Sequence, residues 1–401
     1  AAIERLCLAC GSEHAWLEES LEAALKTAYD NASKQAQGPS LTPNALLLMG
    51  GRLPELTSVF ADAIIRSAEE KGSGSVNVTV NVPLHIYSNR NMDFWQDILA
   101  NPKVGGNLSI TVEQVVEMSS FEANIDSYCA AIMTLLRFLL GDTVSNAGCS
   151  FITIENTLVC NVLENWLTHE EDLLICSDPG VVRQLSSKLS SALKFFQPLI
   201  SYSDKDNLES SHFLYDFVMS GSLRYLLTVM HPIYMDDDFL AKLAVRYLTD
   251  PPDSDFHNYY NSLCSNMERE VILYRTALLE YIYSGRIYLF GREMQLDKAD
   301  RTAHLKQLLE NIRSGACTLK ILNDDNPLLC RKDARLSVYL SRSAGFMASN
   351  ESDWYSSFRF CSHRVVELFN TFFTHLWQLD DEYLLTGSDA EEFIQRGLML
   401  M

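Results

Sequence analysis

The stretch 76–86 constrains this chain most. Val76, Val78, Val80, Val82, Leu84 and Ile86 alternate with Asn77, Thr79, Asn81, Pro83 and His85. Successive side chains of a strand point to opposite faces, so a period of two puts all six apolar residues on one side. Such a strand needs a sheet to pair with and an apolar layer to cover it. An all-helical fold is excluded. Pro83 has no N–H for a ladder, which predicts an edge position or a bulge.

A second stretch, Leu173–Ile200, reads as a strand, a turn and a helix. Leu173–Cys176 is a short apolar run, and Ser177-Asp178-Pro179-Gly180 is a turn. Asp178 suits the N-cap, and Pro179 suits the first helical position, where its missing N–H costs nothing. Val182, Leu185, Leu189, Leu193 and Phe196 then form one apolar stripe, and Pro198 ends the helix. A helix N-terminus attracts anions, which makes Ser177, Gly180 and Arg183 a candidate anion site. The plainer reading is a capped helix, because Asp178 already supplies the negative group.

The remaining pattern predicts helices over Ile3–Leu8, Ala15–Tyr29, Glu55–Ala68, Asp93–Ala100, Phe121–Leu140, Leu208–Met230, Asp238–Leu248, Tyr259–Tyr283, Lys298–Arg313 and Cys361–Leu379. It predicts strands over Leu108–Val112, Arg286–Phe290, Thr318–Leu322 and Arg335–Leu340, and a strand or hairpin over Ser150–Val162. Lys71-Gly-Ser-Gly-Ser75 reads as a linker. The expected fold is helix-rich α+β or α/β, with two small mixed-sheet parts and a helical middle. Its expected parts are a helical segment at 1–71, a first α/β part at 75–204, a helical tyrosine-rich middle at 205–313, and a second α/β part with a long C-terminal helix at 314–401.

Charge narrows the partners. The 401 residues include 32 basic and 52 acidic ones, a net charge of −20. Phosphate affinity needs clustered Lys and Arg, so nonspecific nucleic-acid binding is disfavoured. No apolar run reaches the ~18–20 residues that span a bilayer. Glu4, Arg5 and Glu13 break any signal-peptide core, so no membrane partner is expected. The chain opens on Ala1 rather than Met, as a fragment or a processed product would. Ten cysteines in 401 residues are too dilute for a disulfide framework. Cys129, Cys160 and Cys176 sit in apolar runs, where cysteine acts as a small hydrophobe. A cytoplasmic location follows as the expectation.

Chemical motifs are few. Cys7-x-x-Cys10 and His14 offer three zinc ligands, but no second pair completes a site, so no metal is expected. Asp236-Asp237-Asp238 lacks the glycine and alternate spacing of a calcium loop and reads as a helix start, with Asp238 as the cap. His304-x-Lys306 is similar to the opening of the phospholipase D motif. That family's aspartate position holds Asn311, no second copy occurs, and Leu305, Leu308 and Leu309 mark a packed helix instead. No phosphate-binding loop, dinucleotide fingerprint or GxSxG elbow is present, so neither a catalytic residue nor a cofactor is assigned. Eleven of the 17 tyrosines lie between 202 and 288. Tyr259, Tyr260, Tyr274, Tyr281 and Tyr283 are the candidate ligand-binding group, since tyrosine joins a large apolar face to a polar tip. The aromatic stripe Val365, Leu368, Phe369, Phe372, Phe373, Leu376 and Trp377 suits a core or a dimer face.

Three stretches carry a family resemblance: ICSDPGVVRQLSSKLSSALKFFQPLI at 175–200, RTAHLKQLLENIRSGACTLKIL at 301–322, and FRFCSHRVVELFNTFFTHLWQL at 358–379. Together they resemble the C-terminal sensor regions of bacterial transcriptional regulators with an N-terminal helix-turn-helix. The resemblance implies binding of a small-molecule or peptide effector, formation of a homodimer, and DNA contact only through another module. This chain shows no basic recognition helix. Two other classes stay open: a hydrolase acting on a phosphorylated substrate at the Asp178 turn, and a protein–protein interaction scaffold using 361–379.

Overall fold

The computed structural model describes residues 46–50, 56–72, 74–81, 108–116, 143–145, 150–164, 171–193, 198–203, 222–232, 235–247, 269–289, 292–316, 318–326, 328–329, 336–348 and 357–401, with single positions within 94–105, 125–133 and at 217. The expected helices before residue 46, the Cys7/Cys10/His14 group, Pro83, Tyr259 and Tyr260 lie outside the described residues. The chain divides into two compact units, residues 1–124 with 138–199, and residues 125–137 with 200–401.

The first unit holds β1 (Leu46–Gly50), α1 (Thr57–Lys71), β2 (Ser75–Asn81), the short α2 (Pro102–Gly105), β3 (Ser109–Val116), β4 (Thr143–Ser145), β5 (Ser150–Ile154), β6 (Leu158–Glu164), β7 (Glu171–Cys176) and α3 (Pro179–Leu193). Its strand order is β1-β7-β6-β5-β2-β3-β4. The alternation that opened the sequence is used as read over 75–81. Val76, Val78 and Val80 are buried, while Ser75 and Asn77 are exposed. The strand is interior over that span: β2 pairs parallel with β3 and antiparallel with β5. The apolar face of α1 (Val59, Phe60, Ala63, Ile64) turns inward, and Phe60 meets Phe94 edge to face at 5.0 Å. Gly72 ends α1 with φ +60, a conformation that glycine adopts at no steric cost. Ser67 and Lys71 on α1 reach the β5–β6 turn at Glu155, one through a hydrogen bond and one through an ion pair.

The second unit begins within β8 (Pro198–Ser203) and continues with β9 (Leu223–Leu227), α4 (Asp237–Tyr247), β10 (Arg269–Tyr274), α5 (Arg275–Ser284), β11 (Arg286–Leu289), β12 (Arg292–Gln295), α6 (Lys298–Arg313), β13 (Thr318–Leu322), β14 (Ser337–Leu340), β15 (Gly345–Ala348), β16 (Ser357–Phe360), α7 (His363–Trp377), β17 (Leu384–Leu385) and α8 (Gly387–Leu400). Its mixed sheet runs β8-β16-β15-β14-β9-β10-β13-β17, and β11 and β12 form a separate hairpin. The parallel core is β9-β10-β13.

This arrangement corrects the expected fold class. The middle segment 205–313 is not helical throughout, because β9, β10, β11 and β12 lie in it. The second sheet is not a small one confined to 314–401. Its eight strands draw on residues from 198 to 385. The expected helices 208–230 and 259–283 each hide a strand. LRYLL at 223–227 and REVILY at 269–274 are nearly all buried. A parallel strand covered on both faces shows a continuous apolar run, and its periodicity cannot be told from that of a buried helix segment. The 318–322 and 335–340 stretches are strands as expected: β13 pairs with β10 and β17, and β14 with β9 and β15.

The stripe of α7 is core. Val365, Leu368, Phe369, Phe372, Phe373 and Leu376 are all buried within the chain, and the helix packs on β14 and β16. Charged residues of the central strands meet this helix. Arg224 pairs with its cross-strand partner Glu270 at 2.8 Å, donates to Asn370 and Thr374, and lies 5.5 Å from the Phe373 ring. Lys320 donates to the Trp377 carbonyl at 2.7 Å. Cys129, Cys160 and Cys176 are buried, and burial pushes the Cys160 thiol up to about 12. Among the described residues no helix is long and apolar enough to cross a membrane.

His231 follows β9 and is wedged between aromatics. Its Nε2 lies 2.6 Å from the Tyr339 hydroxyl, and its ring stacks on Tyr288. Burial lowers its pKa to about 3. The unfolded chain therefore takes up a proton near pH 6.5 that the folded chain refuses. The stability from this group is complete above pH 6.5 and is lost as pH falls toward 3. We expect a loss of about 3 kcal/mol between pH 6.5 and 4, read from urea midpoints, and a flatter profile in His231→Gln. An equally steep profile in the variant contradicts this assignment.

Candidate functional site

Three segments of the second unit converge on one open pocket: the end of α4, the end of α5, and the β12–α6 junction. Arg246, Tyr247, Tyr283, Ser284, Gln295, Leu296, Asp297 and Arg301 line it, around a volume of about 540 Å3. The site is shallow and largely open to solvent, so it meets one side of a ligand rather than enclosing it.

Local sequence makes the junction. Gly285 ends α5 at φ +80, and its N–H bonds to the Tyr281 carbonyl. The Leu296 N–H donates back to the Gly285 carbonyl at 2.9 Å, which closes the hairpin onto the helix end. A Cβ at Gly285 would stand 2.2 Å from the Leu296 carbonyl oxygen. Gln295 Nε2 donates to the Ser284 carbonyl at 2.7 Å. Asp297 then caps α6, accepting from the Asp300 N–H at 2.9 Å.

Behind the pocket lies Asp300, which is 2% exposed. Arg246 Nη1 reaches it at 2.7 Å, Lys242 Nζ at 3.3 Å, and the Tyr247 hydroxyl at 3.1 Å. The Tyr247 oxygen in turn accepts from the Asp297 N–H at 3.1 Å. Arg246 also pairs with Asp297. The Asp300 N–H, and then Arg246, hold the Asp297 carboxyl below its ordinary value, so it is ionised. Desolvation raises the Tyr247 phenol, which stays neutral and donates. One buried carboxylate thus fixes α4 against α6 and sets the pocket wall.

Arg301 is the other guanidinium. Its Nη1 donates to the Ile282 carbonyl at 2.7 Å, and its Nε to the Asp297 carbonyl at 3.4 Å. Both acceptors are neutral. Among the described residues it has no carboxylate partner, and Nη2 makes no hydrogen bond.

The tyrosines named from sequence separate. Tyr283 is 68% exposed and lines the pocket. Tyr274 is fully buried at the end of β10. Tyr281 is fully buried and hydrogen-bonded at 2.8 Å to His304 Nδ1, so both belong to the packing of α5 on α6. His304 is therefore held inside a helix interface, as the helical reading of 298–313 expected. At the Asp178 turn, the Asp178 carboxylate accepts the Gly180 and Val181 N–H groups, each at 2.9 Å. Arg183 donates to the Pro179 carbonyl, and Ser177 is buried. That helix end is occupied by its own carboxylate. The cap of α4 is Asp236, which accepts from the Phe239 N–H at 2.7 Å, and not Asp238.

Sequence reasoning missed Arg246, Tyr247, Ser284, Gln295, Asp297 and Arg301. One signal was available: Ser284-Gly285 as a helix stop and Asp297 as a helix start, 12 residues apart, with a short hairpin between them.

No protein-family model matches the chain, and no curated protein matches it. Among solved structures, the archaeal chromatin protein TrmBL2 aligns at 12% identity over 45% of this chain and 64% of its own, with a TM-score of 0.25. This chain thus spans less than two thirds of TrmBL2. A phosphatidylserine synthase of Haemophilus influenzae Rd KW20 aligns at 9% identity over 94% and 96%, with a TM-score of 0.29. A polyphosphate kinase of Porphyromonas gingivalis aligns at 10% over 92% and 57%, again at 0.29. Similarity this low carries no argument about fold or function.

Proposed function

We propose that this chain is the effector-sensing region of a bacterial cytoplasmic transcriptional regulator. It works as a homodimer, without catalytic chemistry of its own, and DNA is contacted by a different module. The observation that carries the reading is the Arg301 pocket. It is large enough for a metabolite, polar at its walls, and built where three segments meet, so a ligand there touches all three at once. The net charge of −20 favours a partner other than bare nucleic acid. The hydrolase reading has no support at the Asp178 turn, where Asp178 fills the helix end.

A thermal-shift screen of the full chain against a panel of small metabolites tests the sensing step. At least one compound should raise the melting temperature saturably, and Gln295→Ala should weaken that response. A panel without any saturable binder contradicts the reading. Light scattering tests the homodimer, which a mass of one chain at all concentrations would refute. Loss of the protein should also change transcription of at least one promoter.

A further inference from the structure

The charge balance of the pocket specifies its ligand. Two guanidinium groups and one carboxylate line it. Arg246 is committed to Asp297 and to Asp300 behind it, and Lys242 also serves Asp300. Arg301 is left over. It is held in place by two neutral carbonyls, and these fix the direction of its fork without cancelling its charge. In a chain of net charge −20 this is a local cationic excess in a shallow, open site. Around it stand Ser284 and Gln295, whose hydroxyl and amide donate to the Glu280 and Ser284 carbonyls, the exposed ring and hydroxyl of Tyr283, and the buried Leu296 as an apolar floor.

We propose that the pocket binds a small organic oxyanion, a carboxylate or phosphate monoester carrying a flat or apolar body. Arg301 takes the anion through its free Nη2 edge, since a planar guanidinium matches either group. The ring of Tyr283 covers the body of the ligand. The binding site is not the N-terminus of α6, because Asp297 already caps that end. This inference rests on the effector-sensing reading and names its ligand class.

The test is calorimetric titration of the full chain with benzoate, phenyl phosphate and the neutral control benzyl alcohol, at matched ionic strength. At least one of the two anions should bind saturably, at least about tenfold tighter than benzyl alcohol. Whether benzoate or phenyl phosphate binds tighter says which oxyanion the site prefers. Arg301→Gln should weaken the anion about tenfold or more. Because Arg301 also braces Ile282, a second variant avoids the fold altogether. Tyr283→Asn loses only the ring, whereas Tyr283→Asp also puts a negative charge at an exposed rim position and should weaken the anion at least about fivefold more than Tyr283→Asn does. Benzyl alcohol binding as tightly as the anions, with Tyr283→Asp harmless, overturns the proposal and leaves a pocket for neutral effectors. No binding of either anion below about 10 mM also overturns it. The effector reading itself falls only if the metabolite panel yields no saturable binder.

Discussion

Gly285→Ala should destabilise the second unit by about 3 kcal/mol, a drop of roughly 6–10 °C in its melting temperature. Two costs add. Alanine at φ +80 pays about 1–2 kcal/mol for the left-handed conformation. Its Cβ would also stand 2.2 Å from the Leu296 carbonyl oxygen. That neighbour is backbone, so the hairpin itself must move, and overpacking of this kind costs about 1–3 kcal/mol. Gly315 supplies the control. It has φ +74 and nothing within 4 Å of its Cβ position, so Gly315→Ala should lose only the conformational part, about 1 kcal/mol. Equal losses in the two variants, measured by urea unfolding, would show that the Leu296 contact is not rigid. Because Leu296 floors the pocket, Gly285→Ala should also weaken ligand binding.

The second large effect is at Asp300. Asp300→Ala removes the shared acceptor of Arg246, Lys242 and Tyr247. Breaking a fully buried pair costs about 3–5 kcal/mol. Here both cations keep substantial solvent contact and rehydrate, so about 2–3 kcal/mol is expected. Asp300→Asn keeps the volume and one acceptor and should lose about half as much. The consequence for function differs from that of a simple core truncation. Without Asp300, α4 is held to α6 only through Asp297, and the wall formed by Arg246 and Tyr247 loosens. Ligand affinity should therefore fall at temperatures where the variant remains folded. Unchanged affinity would mean that the pocket does not depend on α4.

Much of the second unit was legible in its helices. The Lys298–Arg313 helix has the expected bounds, because a capping aspartate precedes it and Ser314-Gly315 follows it. The strand 76–81 and the Asp178 cap were equally local features, each fixed by residues a few positions apart. What escaped reading was set by tertiary burial. In β9 and β10 the neighbours cover both faces, so Leu223–Leu227 and Val271–Tyr274 show no alternation to mark a strand. The tyrosine cluster dispersed for the same reason: Tyr281 and Tyr283 are two residues apart on one helix, and so face opposite ways. One meets His304 in the core, and the other faces solvent. The pocket draws on residues 246 to 301 through one buried carboxylate, and no short motif announces such a site.

The most direct test of the α5–β12–α6 junction as the effector site is amide chemical-shift mapping of the deuterated full chain during titration with the tightest compound from the metabolite panel. Saturating shifts are expected at Tyr283, Ser284, Gln295, Leu296 and Arg301, with the Gly180 and Val181 amides unmoved. Shifts that gather at Gly180 and Val181, or anywhere else away from the α5–β12–α6 junction, would contradict it.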